Sequence, residues 1–204
     1  MVCFDEIAVT RESLGDVADL PALFGNDHPT ELEIGCGKGA FLLRQSRAHP
    51  ERNYLGIEWA NEFYKFTADR MARWGVTNVR IMRTDAKHFV LHHLPEACLA
   101  AIHIYHPDPW PKKRHLKRRL LTVDFVNAAA RCLMAGGRLA IQTDHAEYFA
   151  QIQTVTQGRP GLTPMAFEDP EFGVVGEDVE TNFEIKYKRE GRPIYRLAFQ
   201  RAVE

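Results

Sequence analysis

From residue 30 onward, apolar runs of five to seven residues alternate with longer stretches in which apolar side chains recur every three or four positions. Short runs rich in Leu, Ile and Val predict strands, and the longer period predicts helices with one apolar face. The predicted strands are TELEIG (30–35), NYLGIE (53–58), NVRIM (78–82), LAAIHIY (99–105), GRLAIQT (137–143) and PIYRLAF (193–199). The predicted helices cover 39–48, 60–74, 116–134 and 145–157, with a short one at 86–93. Gly136 and Gly137 are expected to close the long helix, since glycine commonly follows a helix end. Residues 158–180, rich in Gly, Pro and acids, read as loop with room for one strand. Strand and helix alternating in this way imply a parallel sheet with helices packed on it. Residues 1–29 carry weak signals and read as an N-terminal extension ahead of one domain spanning 30–204.

Length agrees with a single core, because 204 residues with 45% hydrophobic content bury one good-sized interior. No run reaches the roughly 18 to 20 apolar residues that span a bilayer, and the start MVCFDEIAVT is acidic where a signal peptide is basic. A cytoplasmic protein without a membrane partner is therefore expected. Cys3, Cys36, Cys98 and Cys132 lie far apart, which predicts reduced thiols. The nine histidines have no acidic or thiolate partners at ligand spacing, so no metal is expected.

A formal net charge of -1 excludes a chain that coats nucleic acid indiscriminately. Any RNA contact has to be local. The one candidate is KKRHLKRR (112–119), which carries six formal cations and no acid.

Candidate chemistry begins where the first strand meets the first helix. In ELEIGCGKGAF, Gly35, Gly37 and Gly39 let backbone approach a ligand at a helix N-terminus. The spacing also fits the looser dinucleotide fingerprint, but Glu33 would repel a pyrophosphate and attract the ammonium of a methionine moiety. Glu58 ends the second strand 19 residues after Gly39, where an acid can accept from both hydroxyls of a ribose. Asp85 follows the third strand and is placed to receive an adenine amine. After the fourth strand, Pro107 and Pro109 stiffen the loop that carries Asp108. Trp110 beside it can pack against a base or anchor the loop. The cations that follow would meet phosphate oxygens.

The segment HPDPWPKKRHLKRR, with EIGCGKGAF, LGIE, Asp85, Thr143-Asp144 and TNFEIKYKREGRPIYRL (181–197), resembles the tRNA (guanine-N7-)-methyltransferase family. The matches run in order from 31 to 199. The resemblance implies a Rossmann-like class I methyltransferase fold of the α/β class, with a mostly parallel seven-stranded sheet and helices on both faces. It implies S-adenosyl-L-methionine as cofactor, held by Glu33, Gly35, Gly37, Gly39, Glu58, Asp85 and Asp108, and tRNA as partner, methylated on a variable-loop guanosine. Asp108 corresponds to the family's catalytic aspartate. Lys112, Asp144, Thr181, Asn182, Phe183 and Glu184 correspond to substrate-contacting residues, and Arg114, His115, Leu116, Lys117, Arg118 and Arg119 to the RNA-contact stretch. DNA is not expected, and monomer and homodimer stay open. The rival readings are a methyltransferase acting on another RNA or a small molecule, a NAD-dependent oxidoreductase, and a non-catalytic RNA-binding module.

Overall fold

The computed structural model describes residues 2–168 and 190–203. Along the chain run α1 (Phe4–Ile7), β1 (Ala8–Val9), a 3₁₀ turn (Glu12–Leu14), α2 (Leu20–Phe24), β2 (Thr30–Ile34), α3 (Ala40–Ala48), β3 (Asn53–Ile57) and α4 (Asn61–Arg73). There follow β4 (Val79–Met82), α5 (Ala86–His92), β5 (Leu99–Tyr105), a second 3₁₀ segment (Lys113–Arg118), α6 (Val123–Cys132) and β6 (Leu133–Thr143). α7 (Ala146–Thr156), β7 (Leu162–Met165) and β8 (Tyr195–Arg201) complete the described elements.

The strands form one sheet in the order β1-β4-β3-β2-β5-β6-β8-β7. Neighbours are parallel from β1 through β6, and β8 runs antiparallel to both β6 and β7. After the edge strand β1, the chain enters the middle of the sheet at β2, winds outward to β4 and returns to β5. The carboxyl ends of β2 and β5 therefore flank the point where winding reverses, which is where ligands bind in open α/β sheets.

One face of the sheet, with Leu32, Ile34, Ile102, Ile104, Leu139 and Ile141, packs against Phe89 and Val90 of α5, Phe125, Val126 and Ala129 of α6, and Tyr148 and Ile152 of α7. The other face meets Phe41 and Leu42 of α3 and Ala68 and Met71 of α4. Helices thus cover both faces, and most core strands are buried along their length, as parallel strands between helix layers must be.

Three features depart from the sequence expectation. The sheet has eight strands among the described residues where seven were expected, because β1 pairs with β4 through Ala8↔Ile81 and Val9↔Met82. A two-residue strand has no period to read, so residues 1–29 gave no signal of it. Ile7 just before it is fully buried, and Phe4 sits edge-on to Tyr64 of α4 at 6.5 Å.

The helix expected over 116–134 is split. Residues 113–118 form the 3₁₀ segment, and α6 starts only after Thr122, whose hydroxyl accepts from the Phe125 N–H. Gly136 and Gly137 do not cap that helix, which ends at Cys132; they lie inside β6. There the β5–β6 register shifts between Leu99 and Ala101, and a Cβ on Gly137 would come within 2.8 Å of the Met134 carbonyl oxygen. The glycine admits a bulge that any side chain would block.

Candidate active site

The β2–α3 turn is built from backbone. The Gly35 and Cys36 N–H groups both donate to the Ile57 carbonyl, at 2.8 and 3.2 Å, so the turn is tied to β3. Gly39 caps α3 at φ +67°, and a Cβ there would lie 2.5 Å from Thr67 Cγ2 and 2.8 Å from Met71 Cε. Only glycine lets α3 start this close to α4. The Thr67 hydroxyl then donates to the Gly37 carbonyl at 2.6 Å.

Glu58, at the end of β3, spans the same turn. Its Oε2 accepts from the Gly37 N–H at 2.9 Å and its Oε1 from the Ala60 N–H at 2.8 Å. Each oxygen keeps lone-pair capacity for a hydroxyl. Glu33 stands beside it on β2, 3% exposed, and its Oε2 has no hydrogen-bond partner among the described residues. Burial raises the Glu33 carboxyl well above the ordinary range, the Glu58 charge raises it further, and Arg44 opposes both. A buried carboxyl with an unpartnered oxygen is what an ammonium group would complete, so these residues fit a cofactor with an amino-acid end. Asp85, after β4, is exposed and caps α5 by accepting from the His88 N–H at 3.0 Å.

On the β5 side the geometry relies on side chains. Asp108 is exposed on a loop whose His106 and Trp110 both take positive φ, +52° and +41°. Such conformations cost non-glycine residues about 1 to 3 kcal/mol each and persist only when neighbours hold them. The His106 N–H donates to the Gln142 carbonyl at 2.7 Å. Gln142 Oε1 accepts from Arg196 at 3.0 Å, which orients its amide nitrogen toward His106 Nε2 at 2.9 Å. Nδ1 then carries the His106 proton and faces the Asp144 carboxylate at 3.6 Å. Arg192 meets the other oxygen of Asp144 at 3.2 Å.

Trp110 is packed by its neighbours, with the Arg118 guanidinium 5.0 Å from its ring centroid and His115 edge-on at 5.7 Å. Lys112, Lys113, Arg114, Lys117 and Arg118 are exposed, and His115 and Leu116 are half-buried. Arg119 departs from the expectation of an RNA-facing cation. It is 2% exposed and spent on protein acceptors, because its chain position turns inward between the PDPW loop and α7. Thr181, Asn182, Phe183 and Glu184 lie outside the described residues.

Beneath the rim runs a buried polar chain absent from the sequence expectations. Glu31 holds Arg52 through Oε1 and His103 Nε2 through Oε2 at 2.8 Å, and His103 Nδ1 meets the Tyr105 hydroxyl at 2.9 Å. A carboxylate can only accept, so Nε2 carries the proton and Nδ1 accepts from Tyr105. Burial holds His103 below its ordinary range despite the Glu31 charge, and burial raises the Tyr105 phenol. Glu31 is pushed up by burial, but its bonds to His103 and Arg52 outweigh this and leave it lowered. Phe41 covers the pair, 4.6 Å from the His103 ring centroid. Strand alternation alone would have placed residues 31, 33, 103 and 105 on one face, and that signal could have found the chain.

Parallel neighbours bring the ends of β2, β3, β4, β5 and β6 to one rim, so Glu33, Glu58, Asp85, Asp108 and Asp144 share an edge of the sheet. Glu33 and Glu58 are brought together. Asp108 joins the α7 side, where its charge reaches Tyr148.

A family model described as a putative methyltransferase matches residues 27–197. The tRNA (guanine-N(7)-)-methyltransferase of Alkalilimnicola ehrlichii is 37% identical over 191 residues, covering 94% of this chain and 80% of that protein. The protein of the same name from Geobacter metallireducens is 34% identical over 193 residues, covering 95% and 92%. The crystal structure of the antibiotic-resistance methyltransferase Kmr is similar in fold, with a TM-score of 0.60 at 17% identity over 91% of this chain and 92% of that one. With a rim built around glycines and acids, and relatives similar along nearly all of its length, the chain belongs to the tRNA (guanine-N7-)-methyltransferase family.

Proposed function

We propose that this chain transfers a methyl group from S-adenosyl-L-methionine to N7 of a guanosine in tRNA, the guanosine being that of the variable loop. The observation that carries the reading is one sheet rim with a buried carboxyl at Glu33, whose Oε2 has no hydrogen-bond partner among the described residues, and an exposed carboxyl at Asp108, flanked by exposed cations between Lys112 and Arg118. When bound, the cofactor supplies a methyl group on a sulfonium centre. Glu33 would pair with its ammonium, Glu58 would accept from the ribose hydroxyls, and Asp85 would receive the adenine amine.

Guanine N7 has a lone pair and no proton at neutral pH, so no side chain has to act as base. The work left to the protein is positioning and charge. Holding N7 in line and within about 3 to 3.5 Å of its target contributes several kcal/mol through orientation alone. Positive charge spreads over the purine as N7 is alkylated, and the Asp108 carboxylate stabilises that charge more than the neutral ground state. Asp144, and Glu184 by its match to the family, would accept from guanine N1–H and the exocyclic amine, a pattern adenine lacks. The exposed cations would bind phosphates and bring the base to the rim.

No helix among the described residues is long and apolar enough to cross a membrane. The test is to incubate the protein with labelled cofactor and unmodified tRNA, then digest the product. Label in 7-methylguanosine from the variable loop supports the reading; label in another nucleoside, or none, overturns it.

A further inference from the structure

The cationic stretch ends in a residue that faces the protein. Arg119 Nε donates to the Pro109 carbonyl at 2.7 Å, Nη1 to Gln151 Oε1, and Nη2 to Glu147 Oε1 at 3.1 Å. Its guanidinium carbon lies 4.8 Å from the Tyr148 ring centroid. The same turn of α7 holds the chain just beyond, because the Tyr148 hydroxyl accepts from the Leu121 N–H and Gln151 Nε2 donates to the Leu121 carbonyl, each at 3.1 Å.

The Pro109 carbonyl belongs to the residue immediately after Asp108. Proline has no N–H, so this oxygen is the nearest backbone handle on the far side of Asp108. The loop needs one there. Trp110 follows at φ +41°, and at the near end His106 at φ +52° is restrained by the Gln142 carbonyl. Two left-handed residues bracket Asp108, one held by β6 and the other by Arg119.

We infer that Arg119 is a positioning residue, which pins the Asp108 loop to α7 and so aims the Asp108 carboxylate, and that it does not contact RNA phosphate. This rests on the reading of Asp108 given above. A planar fork with several donors suits three acceptors on two elements, whereas a lysine supplies the same charge from a single point.

That difference gives the experiment, which measures kcat, KM for tRNA and cofactor binding for Arg119→Lys, Arg119→Gln and Gln151→Ala, with and without Asp108→Ala. Arg119→Lys and Arg119→Gln are both expected to lower kcat by about tenfold to a hundredfold, the scale of a small misplacement. KM for tRNA and the salt dependence of tRNA binding should hold within about twofold of the parent, because no phosphate contact is lost. Gln151→Ala, which leaves Arg119 in place, should lower kcat in the same direction by less, and guards against an Arg119 variant that fails to fold. In the Asp108→Ala background none of the three changes should lower kcat further.

A normal kcat for Arg119→Lys, or a raised KM with a shallower salt dependence for Arg119→Gln, would overturn the inference and return Arg119 to the RNA surface. Additive losses in the Asp108→Ala background would overturn it as well. Full turnover by Asp108→Ala alone would sink the reading of Asp108, an outcome separate from the Arg119 results.

Discussion

On the β2–β3 side of the rim, Glu58 is fixed by the N–H groups of Gly37 and Ala60, and the turn it spans is tied to β3 by two more peptide N–H groups. On the β5–β6 side, His106 and Asp144 are fixed by Gln142, Arg196 and Arg192, and the Asp108 loop by Arg119. Backbone N–H groups do most of the holding on one side, helped by the Thr67 hydroxyl, and side chains from distant positions do most of it on the other. Substitutions other than proline leave peptide N–H groups in place, so the first side should tolerate replacement of side chains around the turn, apart from Gly39, whose place against Thr67 and Met71 admits no side chain. The second should lose its geometry through residues that touch no ligand. In the proposed reaction the first side binds and the second aims, and a binding site can rely on local backbone where an aimed carboxylate needs support from several elements.

The sharpest way to break this contrast is at the two carboxylates themselves. Asp108→Ala should cut kcat by about a hundred- to a thousandfold, as loss of one preorganised charge-stabilising group does, while cofactor affinity stays unchanged by calorimetry. Glu58→Ala should do the reverse. Losing a charged acceptor of hydroxyls weakens cofactor binding by about ten- to a hundredfold, with kcat recovering at saturating cofactor. If each variant impaired both quantities equally, the division of labour would be wrong.

Smaller effects sharpen the picture. Replacing Lys112, Arg114 and Arg118 together by Ala should lower tRNA affinity about tenfold at moderate salt and make the log–log salt slope shallower by about two, measured by filter binding. An unchanged slope would detach the exposed cations from the substrate. The smallest effect concerns the buried chain under the rim. His103 is neutral in the fold because burial lowers it, whereas the unfolded chain takes up a proton near pH 6.5. The unfolded state then binds more protons, so stability should fall as pH drops through and below about 6.5. His103→Gln can keep a donor for Glu31 and an acceptor for Tyr105 without titrating. Thermal melts from pH 7 to pH 5 should therefore be flatter for the variant, and parallel curves would reject the assignment.

The same contrast explains what could be read in the chain. The placement of the glycine turn, Glu33, Glu58 and Asp85 at the ends of three successive strands was legible because strand–helix alternation dictates where each strand stops. Strands 30–34, 53–57 and 99–105 and helices 40–48 and 61–73 followed from period and composition. The split of 116–134 was not legible, because Arg119 leaves the helical path to meet Pro109, Glu147 and Gln151, partners 10 to 32 residues away. Gly136-Gly137 carried the chemistry of a helix cap but sits in a bulge, since the β5–β6 register decides its conformation. His106 was invisible as a site residue for a similar reason: its φ and its partner Gln142 are set by pairing across the sheet.

If Glu33 pairs with the cofactor's ammonium as proposed, its carboxyl would hold a proton to higher pH before the cofactor arrives than after. Its carboxyl retains a proton to higher pH than an unfolded glutamate does, so the native state binds more protons and the empty protein loses stability as pH climbs past about 4.5. In the proposed complex, an ammonium beside it would favour the ionised form and expel that proton to the buffer. Cofactor uptake should thus release acid, and a rise in pH that loosens the ligand-free fold should tighten its grip on the methyl donor for as long as the donor's ammonium keeps its own proton.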